Sequence, residues 1–261
     1  MTSNGTDMDR KLDVGSTLNE VFDTYRDQAG VLLPVAFWLF LVVAIVNGLT
    51  AGNFSLFWVG LIVSLAVGTL YQGMVVTLVS DLQDGRRDSS VGDLMRSALP
   101  VLAPLIGAGI LAGFGIGFGF VLLIVPGLYL ATIWAVIAPA IVIERRGIFD
   151  AFGRSRQLVK GNGWPVLGTI VVAYLIAIVA TLAFTAIGGA IANGPLVRIV
   201  FSALASTLAA PVGALVAAIL YFRLLPLQSE PAPPAAEALP TQPPPPSDSP
   251  PPPEPPPPPA T

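Results

Sequence analysis

Two residue types are missing altogether: the 261-residue chain contains no cysteine and no histidine. Without cysteine there is no disulfide framework, no thiolate nucleophile and no thiolate metal site, and the redox compartment leaves no mark. Without histidine the commonest general base near neutral pH goes as well, along with most zinc and haem ligation. Charge is scarce too, at 11% of residues against 54% hydrophobic ones. Residues 31–80, 98–143 and 165–197 hold no Asp, Glu, Lys or Arg at all. Proton-coupled transporters usually keep an ionisable side chain at membrane depth, and these runs offer none. The sequence therefore predicts no catalytic residue, no metal and no cofactor, and it speaks against an enzyme.

What is there is apolar length. About twenty helical residues at 1.5 Å each cross a hydrocarbon core of about 30 Å. Runs 31–50, 54–80, 165–192 and 196–222 each suffice for one crossing, and run 98–143 suffices for two. The break in that double run is placed at Val125-Pro126-Gly127, because proline disfavours helical geometry before it and glycine permits a turn. The fold class expected is all-α: a polytopic membrane helical bundle of six transmembrane helices in three hairpins. Residues 1–16 read as a disordered N-terminus with no apolar signal core. Residues 17–228 read as the membrane domain, and 229–261 as a disordered proline-rich cytoplasmic tail.

The basic residues test this count independently, since Lys and Arg collect in cytoplasmic loops. Of thirteen, only Arg198 falls beside a short connection on the other side. A cell-membrane protein with both termini in the cytoplasm follows. Each cytoplasmic segment also carries an amphipathic stretch. Thr17 and Glu20 read as a capping box before Leu18, Val21, Phe22 and Tyr25 at helical spacing. Ser90 and Asp93 repeat that pattern more weakly before Leu94 and Met95. Ile148, Phe149, Phe152, Leu158 and Val159 interleave with Arg154, Arg156 and Lys160. Three units emerge, each a short interfacial helix followed by a transmembrane hairpin.

The run VPGLYLATIWAVIAPAIVIERRGIFDAFGRSRQLVKGNGWPVLG carries a resemblance. Its Pro126-Gly127, Ala138-Pro139, Glu144, Ala151, Arg154-Ser155, Leu158-Val159 and Gly161 resemble the membrane domain attached to some glycerophosphoryl diester phosphodiesterases. The same domain stands alone in many bacterial membrane proteins. The resemblance implies a six-helix membrane module, and no catalysis: the phosphodiesterase chemistry rests on histidines and metal-binding carboxylates of a separate soluble barrel.

Arg145, Arg146, Arg154, Arg156 and Lys160 cluster at the membrane surface, where they meet anionic headgroups or simply fix topology. Asp81, Asp84, Asp88 and Asp93 fit no calcium loop and read as a solvated turn. Ser202, Ser206 and Thr207 read as helix-packing hydroxyls. In the third span, Gly109, Gly113 and Gly117 form one small-residue stripe, and Gly115 and Gly119 another, for close helix approach. Residues 231–261 hold seventeen prolines, a polyproline spacer suited to reaching a cytoplasmic protein partner. The function expected is a non-enzymatic membrane module, a scaffold or lipid-contacting protein whose partners are membrane lipids, with no nucleic-acid partner. The alternative is a channel or carrier for a small or lipidic molecule.

Overall fold

The computed structural model describes residues 12–50, 52–85, 90–191 and 194–229. Most of the expected N-terminus and tail, and Arg86, Arg87 and Asp88, lie outside them. The protein is an all-α bundle. Among the described residues six helices are long and apolar enough to cross a membrane.

The first unit is α1 (Val14–Asp27), α2 (Ala29–Thr50) and α3 (Phe54–Gln83). The second is α4 (Val91–Ala98), a 3₁₀ turn over Leu99–Val101, α5 (Leu102–Leu122), α6 (Ile124–Ile133) and α7 (Ile137–Val142). The third is α8 (Ile148–Val159), α9 (Gly163–Ile191) and α10 (Pro195–Ser229). A short amphipathic helix thus precedes each hairpin. Hydrocarbon offers backbone groups no partners, so each long apolar run closes its hydrogen bonds within a helix.

Three local expectations are corrected. Asp13, not Thr17, caps α1: its carboxylate accepts from the Ser16 N–H at 2.7 Å. The helix therefore starts before Thr17, which is fully buried and donates to the Asp13 carbonyl at 2.6 Å. The turn between α5 and α6 is the single extended residue Leu123, and Pro126-Gly127 falls in the first turn of α6. A proline is tolerated there because the first N–H groups of a helix lack intrahelical acceptors anyway. The fourth span is itself broken, between Ile133 and Ile137. Pro139 supplies no N–H for the carbonyl one turn earlier, and Ser155 of α8 fills part of the gap. Its hydroxyl donates to the Ile133 carbonyl at 2.8 Å and accepts from the Val136 N–H at 3.3 Å. By contrast the Ser90 and Asp93 cap forms, with the Asp93 N–H donating to Ser90 at 3.2 Å.

Helix α10 is the axis of the core, burying Leu215, Ile219, Leu220, Tyr221 and Leu224. Apolar burial does not drive helices together in lipid, so close packing and hydrogen bonds must. Gly119 shows how: a Cβ there would stand 2.9 Å from Gly127 Cα and 3.0 Å from Gly127 N. Gly115 likewise leaves room for the Trp134 ring. On the other stripe a Cβ at Gly109 would make ordinary contact with Thr69, while one at Gly113 or Gly117 would meet no neighbour within 4 Å among the described residues.

Candidate functional site

One end of the bundle gathers the charges. Arg223 of α10 pairs with Glu20 of α1 at 2.6 Å and also donates to Ser16 Oγ at 2.6 Å. The Leu12 N–H donates to the buried Asn162 side chain at 3.4 Å. Gln228 donates to the Lys160 carbonyl at 3.0 Å. These contacts bring residues 12–20, 144–162 and 221–228 together, although they lie in three separate stretches. Gly161, at φ +89°, makes the turn that positions Asn162.

At this end Glu144 is a node. Arg154 Nε donates to it at 2.7 Å, the Tyr221 hydroxyl at 2.8 Å, and Arg146 Nε to the second oxygen. The Glu144 side chain is only 16% exposed. Burial pushes its carboxyl upward, but the hydrogen bonds from Arg154, Arg146 and Tyr221 outweigh it and hold the carboxyl below its ordinary value. The same bond holds the Arg146 guanidinium above its ordinary value. Arg145, at φ 53°, turns the chain between α7 and α8 so that Glu144 and Arg146 meet.

The five basic residues of the expected cluster therefore divide. Arg154 faces inward to the node and Arg146 is partly committed to it. Among the described residues no carboxylate pairs with Arg145, Arg156 or Lys160. Helix α8 buries Ala151, Ser155, Leu158 and Val159. Its opposite face runs Phe149, Gly153, Arg156 and then Lys160, all exposed, at i, i+4, i+7 and i+11. Phe149 is 80% exposed, whereas Phe152 turns in to meet Trp134 edge-on at 4.9 Å. Trp164, at the start of α9, is also 83% exposed. Below Phe149 lies an apolar groove of about 620 Å³, lined by Leu111, Phe114, Phe118, Trp134 and Phe152.

Of the acidic cluster, Asp81, Asp84 and Asp93 are described, and no group of three metal-ligating side chains forms among the described residues. Thr207 donates to the Ala203 carbonyl within its own helix at 2.7 Å. Sequence reasoning had Glu144 only as a resemblance residue and missed Tyr221 and Trp164. A tryptophan beside a basic loop at a span boundary was a usable signal for an interfacial anchor. For Tyr221 there was none.

A UPF0259 membrane protein of Pectobacterium carotovorum subsp. carotovorum is 32% identical to this chain over 123 residues. The match covers 47% of this chain and 48% of that protein, so the chain spans about half the length of the curated relative it matches. This chain is a multi-pass membrane protein. That assignment rests on the similarity to a bacterial membrane protein together with the six apolar spans. No family model matches, and no solved structure does.

Proposed function

We propose that the chain is a non-enzymatic membrane module that retains anionic lipids at its charged end. The observation that carries this reading is the outward face of α8, where Arg156 and Lys160, paired with no carboxylate among the described residues, follow the exposed Phe149 above an acyl-sized apolar groove. Each cation near anionic headgroups contributes about 1 kcal/mol, and its aliphatic stem stays in the interface. Arg145 adds to the set. Arg154 does not, since its guanidinium is held by Glu144.

The test is to replace Arg145, Arg156 and Lys160 together with glutamine. Purified in detergent at low salt, the variant is expected to retain phosphatidylglycerol roughly a hundred-fold less well than wild type in native mass spectrometry. The difference should shrink as salt rises and screens the charges. Thermal stability should hold, because none of the three is ion-paired among the described residues. Equal lipid retention by the two proteins would reduce the basic residues to topology signals.

The same charge distribution supports a cytoplasmic charged end. A cysteine at Asn53 is expected to react with an impermeant maleimide from outside intact cells, and one at Gln157 only after lysis. The proline-rich residues 229–261 would then be on the cytoplasmic side, available to a protein partner. The resemblance to phosphodiesterase-attached membrane domains supports the module reading, and the missing histidines separate it from their chemistry.

A further inference from the structure

A second cavity lies away from the charged end. It measures about 500 Å³ and sits between α2, α3, α9 and α10, a volume typical of small-molecule sites. Its depth follows from helix geometry. Gln72 is eleven residues from the end of α3 and Tyr174 eleven from the start of α9, about 16 Å along each axis. That is close to the middle of a hydrocarbon core about 30 Å thick.

The lining is mostly small or apolar, yet it carries hydroxyl and amide groups. Two of them are satisfied by the backbone: Tyr71 donates to the Leu32 carbonyl at 3.3 Å and Thr181 to the Ala177 carbonyl at 2.8 Å. The Gln72 carboxamide and the Tyr174 and Ser206 hydroxyls, which also line the cavity, have no hydrogen-bond partner among the described residues. They come from three different helices. A Cβ at Gly213 would stand 3.1 Å from the Tyr174 oxygen, so glycine at 213 gives that hydroxyl room between the helices. An amide or hydroxyl left unpaired in hydrocarbon costs several kcal/mol, so an occupant that supplies partners is favoured. Among the described residues no Asp, Glu, Lys or Arg lines the cavity, so a charged headgroup at this depth would be left uncompensated. Access is sideways: Ile178 and Leu182 of the α9 wall are 53% and 61% exposed to the lipid side.

We infer that this cavity binds the uncharged polar end of a long-chain lipid carrying a hydroxyl or carbonyl oxygen, as in a fatty alcohol or prenol. Gln72 both donates to and accepts from that oxygen, Tyr174 and Ser206 complete its shell, and the hydrocarbon tail leaves past Ile178 and Leu182. The inference uses none of the residues assigned to anionic lipid, and either site can fail alone.

The probe is hexadecanol bearing a diazirine, photolysed with the full chain in nanodiscs and mapped by peptide mass spectrometry. Labelling is expected to concentrate on the α9 and α10 walls and to be competed by unlabelled hexadecanol but not by palmitate. Gln72→Leu should reduce it roughly five-fold, the loss of one or two neutral hydrogen bonds. Ala209→Phe, which fills the cavity, should abolish it. If that variant does not fold, Gln72→Leu decides alone, since it keeps the side chain's bulk. Labelling spread over all lipid-facing helices without competition would overturn the site, and so would undiminished labelling in Gln72→Leu.

Discussion

Replacing Glu144 with alanine is expected to destabilise the purified protein by about 2–4 kcal/mol, because it strands partly buried donors on two other helices. Arg154 and the Tyr221 hydroxyl both converge on one carboxylate oxygen, so the loss removes a junction between the α7 end, α8 and α10. Tyr221→Phe should cost only about 1 kcal/mol, since it deletes one hydrogen bond and leaves the ion pairs. Thermal melting in detergent measures both, and a double-mutant cycle between Glu144 and Arg154 isolates their coupling. A Glu144→Ala protein that melts like wild type would show that α8 is held by its apolar face alone. The node also has a pH signature. Its carboxyl sits below the ordinary value of 4.5, so its contribution is present in full above that value. It is lost as pH falls through the lower value of the folded state. The Glu144→Ala variant should lack this acid-sensitive component.

Gly119→Leu is expected to be the most damaging single change in the spans, costing about 3 kcal/mol or more. The atoms in its way are Gly127 Cα and N, backbone that no rotamer change can move. Helices α5 and α6 must separate, and with them goes the contact that closes the tightest turn in the bundle. Gly117→Leu, two residues earlier, meets nothing within 4 Å and should stay within about 0.5 kcal/mol of wild type. Melting temperatures of the two variants side by side check this. Equal losses would mean that the outward stripe also packs, against another copy or another protein.

The contrast between those glycines shows where sequence reading stops. Both stripes repeat at four residues and both suit close helix approach, yet Gly115 and Gly119 are pressed against the following span whereas Gly109 makes only ordinary contact with α3. Rotation of a helix about its axis is set by its partners, and an evenly apolar helix carries no amphipathic signal for it. The α8 cations divide for a similar reason. Arg154 and Arg156 are alike in composition and two positions apart, so they point to different sides of the helix. Only the inward one reaches Glu144. Glu20 was legible as an acid near a helix start, and the structure gives it Arg223 instead of a capping role.

What the sequence determined by itself is the number of crossings, the order of short and long helices, and the gathering of charge at one end. Each follows from a local rule: lipid forces every long apolar run into a helix, and charged side chains stay out of hydrocarbon. What only the tertiary structure decided are the Glu144 node, the break in the fourth span covered by Ser155, the α5–α6 contact and the cavity between α2, α3, α9 and α10. The node and the cavity join residues far apart in the chain, Glu144 with Tyr221 and Gln72 with Tyr174 and Ser206. Local periodicity fixes which face a segment prefers to bury, whereas the identity of the partner across that face depends on how all the helices pack at once.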